Sequence, residues 1–224
     1  WNAFLLTSRK LIGKGLTAVE NIVAVCCSTQ GEGTVPVDRD GNALTNCILW
    51  MDMRGAENLK KITAGFPMVS GYDAAKLARW INITGGAPSL TGKDPSAHML
   101  YIRDEMPDIY NLTYKFLNVL DYMNLCLTGR IVATPDSILT SWVTDNRDSA
   151  NVKYSDVLVK NSGIDADKFP EIVPCDAIVG DLKPQVAESL GLPAGVKVVA
   201  GAIDTTSAAI GSGAVGDFEG HLCI

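Results

Sequence analysis

The apolar and polar positions near the start of the chain fall into two different patterns. From Asn2 to Leu16 the apolar side chains recur at helical spacing, which predicts an amphipathic opening helix. The segment Asn21 to Cys27 then carries a continuous apolar run, Ile-Val-Ala-Val-Cys-Cys, as expected of a strand covered on both faces. It ends in a polar, glycine-flanked corner, Ser28-Thr29-Gln30-Gly31-Glu32-Gly33. Two short β-prone runs follow, Thr34 to Val37 and Cys47 to Trp50. The first leads into Asp38-Arg39-Asp40-Gly41-Asn42, whose Asp-Gly pair favours a tight turn, so a hairpin is expected.

Beyond Trp50 the spacing turns helical. Asp52 is placed to cap a helix carrying Ala56, Leu59, Lys60 and Ile62, and further helices are expected at Ala74 to Ile83, Ser96 to Glu105 and Asp121 to Leu127. The last of these follows a strand-like run, Lys115 to Leu120, and stops at Thr128-Gly129. Residues 129 to 152 read as polar and irregular. A helix at Tyr154 to Asn161, a proline-punctuated loop and a helix at Gln185 to Leu190 precede the strand Val196 to Ala200, which feeds Gly201-Ala202-Ile203-Asp204 and a helix of small residues, Thr205 to Ile210. Interleaved strands and helices without a repeat predict a single α/β domain around a mixed sheet. The hairpin argues against an all-parallel arrangement.

Composition narrows the partners. Among 224 residues, 19 Lys and Arg face 25 Asp and Glu, and no basic block offsets the net charge of −6, so duplex nucleic acid is not an expected partner. The longest apolar region, Val196 to Gly216, is broken by Lys197 and Asp204, so no membrane span is expected. The six cysteines form no Cys-x-x-Cys pair, which predicts free thiols in a reducing compartment such as the cytoplasm. The chain opens Trp1-Asn2-Ala3-Phe4 without a methionine or signal pattern. It closes on Leu222-Cys223-Ile224, the apparent start of a strand, so a piece of a larger protein is expected.

Candidate chemistry gathers where strands end. Asp204 lies at a strand-to-helix junction, the place where open α/β sheets put ligand-contacting residues, and a helix N-cap role is compatible with that. Gln30 and Glu32 sit at the carboxyl end of another strand, and Trp50, Asp52 and Arg54 at the end of a third. Carboxylates, an amide and an aromatic plane at one sheet edge suit a polyhydroxylated ligand. Gly211-Ser212-Gly213-Ala214-Val215-Gly216 matches the dinucleotide pattern G-x-G-x-x-G, but a helix rather than a strand is expected before it.

These segments, in this order, resemble the N-terminal half of the FGGY carbohydrate kinases, with the xylulokinase-like members most similar. The resemblance rests on Ser28-Thr29-Gln30-Gly31-Glu32-Gly33, Val35-Pro36-Val37-Asp38-x-Asp40-Gly41, Ile48-Leu49-Trp50-Met51-Asp52-Met53-Arg54, Ala75-Lys76-Leu77-Ala78-Arg79-Trp80, Asp121-Tyr122-Met123 with Leu127-Thr128-Gly129, and Val198-Val199-Ala200-Gly201-Ala202-Ile203-Asp204. It implies a ribonuclease H-like domain of the actin and hexokinase ATPase type, and phosphorylation of a sugar or polyol hydroxyl from Mg-ATP. Asp204 would be the general base and a Mg²⁺ ligand. Gln30, Gly31, Glu32, Asp52, Arg54 and Thr205 would line or brace the sugar pocket. Gly31 stands where several relatives carry Arg or Met. The resemblance further implies that the family's two phosphate loops and its C-terminal ATP-binding domain lie outside residues 1–224, that this segment alone is inactive, and that a second copy of the chain is a candidate partner. Two other readings remain open on the residues: a non-catalytic sugar-binding or regulatory module, and a dehydrogenase using Gly211 to Gly216.

Overall fold

The computed structural model describes residues 1–216 and 219–222. In chain order its elements are α1 (Asn2–Ile12), β1 (Ala24–Thr29), β2 (Gly33–Val37), β3 (Ile48–Leu49), α2 (Ala56–Thr63), β4 (Met68–Val69), β5 (Tyr72–Asp73), α3 (Ala74–Thr84), α4 (Pro95–Glu105), α5 (Pro107–Leu112), β6 (Lys115–Leu117), α6 (Val119–Thr128), β7 (Val132–Ala133), α7 (Pro135–Ile138), β8 (Thr144–Asp145), β9 (Lys153–Tyr154), α8 (Asp156–Ser162), β10 (Glu171–Ile172), β11 (Ile178–Asp181), α9 (Pro184–Leu190), β12 (Lys197–Ile203) and α10 (Asp204–Gly211). Of the expected terminal strand, Cys223 and Ile224 lie outside the described residues, as do Asp217 and Phe218.

The α/β class stands, but the strands divide among several small sheets. One is mixed, with β12 in the middle, parallel to β1 and antiparallel to β11. A second is antiparallel in the order β3-β2-β6, and contains the expected hairpin in the register Gly33 to Leu49 and Thr34 to Ile48. Asp38 builds the turn by accepting the N–H groups of Asp40 and Asn42 on Oδ1, each at 2.9 Å, while Gly41 takes the left-handed φ of 83° that the turn requires. Helix α6 packs against strands of both sheets, burying Leu120, Leu125 and Leu127. One buried cluster joins Leu127, Leu182, Leu190 and Val198, with Phe4, Leu5 and Ile12 of α1 packed against it. A fully buried leucine of this kind contributes roughly 1.5–3 kcal/mol.

Several expectations are corrected. The opening helix stops at Ile12 rather than Leu16. The first strand begins at Ala24, after a 3₁₀ turn at Val19–Asn21, and runs on through Thr29. It is not covered on both faces. Val25 and Cys27 pack on the Leu127–Val198 cluster, whereas Ala24, Cys26 and Ser28, which alternate with them and face the other way, are exposed. Asp52 does not cap α2, which starts after Gly55; its carboxylate binds Arg54 instead. The strand-like run after Lys115 ends at Leu117, because Asp121 Oδ2 accepts the Asn118 N–H at 3.0 Å and starts α6 there.

The stretch 129–152 contains β7, α7 and β8. Its polar residues are interior ones: Thr134, Ser137 and Ser141 are fully buried, and Ser137 bonds both Asn118 and Asp121. Lys153–Tyr154 forms a strand where a helix start was expected, and α8 begins at Asp156. Strand β11 occupies part of the proline-punctuated loop. His98, fully buried, is structural: its Nε2–H donates to the Asp52 carbonyl at 2.9 Å and its Nδ1 accepts from the Thr34 hydroxyl at 3.2 Å. Burial lowers its pKa and favours the neutral ring.

Candidate active site

The parallel pairing of β1 with β12 sets the geometry of the site. Its register places Thr29 beside Ile203, so the corner after β1 and the start of α10 after β12 emerge side by side. Between them lies a cleft of about 470 Å³ lined by Gln30, Gly31, Glu32, Trp50, Leu139, Thr140, Ile203, Asp204 and Thr205. Six of the residues singled out in the sequence therefore meet in one cavity, although its two halves are about 170 positions apart along the chain.

Each is held by a local device. The Gln30 side-chain amide donates to the Glu32 carbonyl at 2.8 Å and braces the corner. The Ser28 hydroxyl donates to Ser207 Oγ at 3.0 Å and ties β1 to α10. Asp204 is the first residue of α10 and is exposed; Ile203 holds the N-cap position that sequence position alone had suggested for the aspartate. One carboxylate oxygen, Oδ1, accepts the Thr205 N–H at 2.8 Å, and Oδ2 has no protein partner among the described residues. A helix N-terminus favours negative charge, and Asp204 lines the cleft, so the side chain keeps an oxygen free to accept a hydrogen bond there.

Glu32 is half-buried, and its carboxyl is pushed up to about 7. Burial is the main cause, the nearby Asp94 charge adds to it, and Lys93 opposes it. Asp94 is itself buried, accepts Trp142 Nε1–H at 2.7 Å, and has its own carboxyl raised by that burial. The cleft therefore holds one carboxyl that changes charge near neutral pH.

Asp52 and Arg54 are not brought into this cleft. They pair with each other, Arg54 Nη2 to Asp52 Oδ2 at 2.6 Å, and the Arg54 guanidinium lies 5.4 Å above the Tyr101 ring. Asp52 faces a separate depression with Cys47, Leu49, Met51 and Met53. β3 is only two residues long, and the chain turns back at once, with Asp52 N–H on the Leu49 carbonyl and the Asp52 carbonyl held by His98. Trp50, from the same segment, does reach the cleft. Leu139 and Thr140 were missed. They belong to the stretch read as irregular, and nothing in its pattern marks them.

A larger cavity of about 600 Å³ adjoins through Leu139, walled by Pro135, Val152, Ile172, Val173 and Pro174. It is mostly apolar, and the oxygens of its one carboxylate, Asp136, are taken by Thr134, Cys175 and Ile203. The dinucleotide alternative fails on context, because helix α10 runs into Gly211 where a strand would be needed.

A model of the FGGY family of carbohydrate kinases, N-terminal domain, matches residues 1–211. The chain belongs to that family. Among the FGGY kinases, the xylulose kinase of Escherichia coli strain K12 is 28% identical over 208 residues, which cover 88% of this chain and 37% of that protein. A probable L-xylulose kinase of Haemophilus influenzae is 26% identical over 212 residues, 94% of this chain and 41% of the other. The chain thus spans about 40% of the length of the FGGY kinases it matches. The structure of a ligand-bound xylulose kinase from Lactobacillus acidophilus superposes with a TM-score of 0.77 at 19% identity, over 95% of this chain and 40% of that one. Plasmodium falciparum glycerol kinase with ADP gives 0.75 at 17% identity, over 96% and 40%. The fold is accordingly the ribonuclease H-like one of the FGGY kinases.

Proposed function

We propose that the gene product carrying this sequence is an ATP-dependent carbohydrate kinase whose acceptor is a sugar or polyol, a xylulose-like ketose being favoured. The observation that carries this reading is that Asp204, whose Oδ2 has no partner among the described residues, lines the same cleft as Glu32, where β1 and β12 end together. The relatives, a xylulose kinase and a probable L-xylulose kinase, support the substrate class. Asp204 takes the proton of the acceptor hydroxyl as that oxygen bonds to phosphorus, and Glu32, Gln30 and Thr205 hold the other hydroxyls. Trp50 covers an apolar face of the sugar. When bound, Mg-ATP would supply the phosphoryl group, its bond from the γ-phosphorus to the bridging oxygen breaking as ADP leaves. No three His, Cys, Asp or Glu come together into a metal cage among the described residues. A single carboxylate is nevertheless the usual protein share of a Mg²⁺ site completed by phosphates and water, and Asp204 fits that share. No described helix is long and apolar enough to cross a membrane. A cytoplasmic location accords with this reading.

The test is a phosphorylation screen of the full-length gene product against pentuloses, hexuloses, polyols and aldonates, with Asp204→Asn as the control. An inert panel with wild type would overturn the reading. Glu32 gives a second test. Its ionised form accepts hydroxyl hydrogen bonds on both oxygens, so sugar affinity should rise as pH increases through about 7. In Glu32→Gln that dependence should vanish, with affinity at pH 8 below that of wild type. Titration calorimetry between pH 6 and 8.5 measures both, and a flat wild-type profile would remove Glu32 from the sugar contacts.

A further inference from the structure

Asp136 lies behind the cleft rather than in it, yet its carboxylate is the last anchor of the strand that delivers Asp204. On the side away from β1, strand β12 pairs first with β11, in the register Val199 to Ile178. Past that point the chain leading into β11 takes over: Ala200 N–H donates to the Ala177 carbonyl and Gly201 N–H to the Cys175 carbonyl, each at 2.9 Å. This backbone partner then runs out, two residues short of α10. The next N–H on that side belongs to Ile203, and Asp136 Oδ2 accepts it at 2.9 Å. The other oxygen is steadied by the Thr134 hydroxyl at 2.5 Å and the Cys175 thiol at 3.5 Å. Burial first, then the Asp136 charge, raises that thiol to about 11, so it remains a donor at neutral pH.

We infer that Asp136 is a positioning residue for phosphoryl transfer: by fixing the Ile203 amide it sets the first turn of α10, and hence the direction in which the Asp204 carboxylate enters the cleft. Ile203 is the N-cap of α10, with extended φ and ψ of −67° and 161°, and those angles fix where the next residue's Cβ points. α10 buries no residue of its own, and the Ser28–Ser207 hydrogen bond holds it one turn further on, so the Ile203 anchor is what fixes its first turn. A side-chain carboxylate substitutes here for the missing strand. It approaches from α7, and Ile203 also borders β1, the Gly31 corner and the cleft.

This inference rests on Asp204 as the base, and the test separates the two. In the full-length gene product, with the best acceptor from the screen, Asp136→Ala should lower kcat about 30- to 100-fold, because a displacement near 1 Å at a reacting group costs that much. The sugar KM should stay within about threefold, since the cleft's hydroxyl contacts are untouched. Asp136→Asn keeps an acceptor oxygen and should recover most of the rate. If Asp136→Ala does not fold, Thr134→Val pulls the same lever, removing the hydroxyl that steadies Asp136; kcat should then fall several-fold with KM unmoved. Unchanged kcat in these variants beside an inactive Asp204→Asn overturns the positioning role, as does a loss expressed equally in KM.

Amide exchange at Ile203 gives a readout independent of turnover. It should be at least about tenfold faster in Asp136→Ala and unaltered in Asp204→Asn, because only the first removes its acceptor. Unchanged exchange overturns the inference even where wild type proves inert. Inert wild type with accelerated exchange leaves the anchor standing and refutes the kinase reading instead.

Discussion

Asp204→Asn should lower kcat for sugar phosphorylation by about 10²- to 10⁴-fold while changing sugar affinity little, the size expected for loss of a general base. The substitution is close to isosteric. The asparagine carbonyl can still accept the Thr205 N–H that Oδ1 holds at 2.8 Å, so the first turn of α10 should persist. What disappears is the basic oxygen: an amide cannot take the proton that the acceptor hydroxyl must release. Steady-state kinetics and direct sugar titration on the same preparations separate the two effects. Equal losses in kcat and in affinity would mean that Asp204 binds the sugar rather than deprotonates it. Wild-type kcat in the variant would end the proposal that this carboxylate carries the chemistry.

That both halves of the site could be read from the sequence has a physical basis. Strands β1 and β12 are short apolar runs ending abruptly in polar residues, Gln30 to Glu32 in one case and Asp204 in the other, and parallel pairing brings such ends to one edge. The Asp-Gly turn was equally legible, because its constraint lies within five residues. Asp52 and Arg54 misled for the opposite reason. Their direction depends on His98, 46 residues away from Asp52, holding the Asp52 carbonyl, and no local pattern reports a contact at that distance. The 129–152 stretch failed similarly. Its serines and threonines look like surface residues until Asn118 and Asp121 are placed opposite them in the interior. Leu139, Thr140 and Asp136 all come from that stretch, so it contributes more to the site than its composition suggested.

Gly201→Ala should destabilise the protein by on the order of 3–5 kcal/mol, among the larger effects a single methyl group can have. Gly201 has φ +81°, a conformation that costs a side-chain-bearing residue about 1–2 kcal/mol by itself. A Cβ there would also lie 2.2 Å from the Cys27 carbonyl oxygen, which belongs to rigid backbone in the paired strand and cannot step aside cheaply. The strain is local to a bulge. The β1–β12 register advances two residues on β1, from Cys26 to Ser28, but three on β12, from Val199 to Ala202, and this offset turns the end of β12 toward the cleft. Relieving the clash would part β1 from β12 where their common ends hold Glu32 and Asp204 together, so sugar binding should weaken along with stability. Gly211→Ala is the matched control. It has open space around its missing Cβ and no positive φ, and it ends α10, so alanine there should be neutral or stabilise by up to about 1 kcal/mol. Denaturant midpoints of the two variants against wild type measure the difference. If Gly201→Ala unfolds within about 0.5 kcal/mol of wild type, the range of an ordinary surface change, the bulge is not what holds the two corners of the site in register.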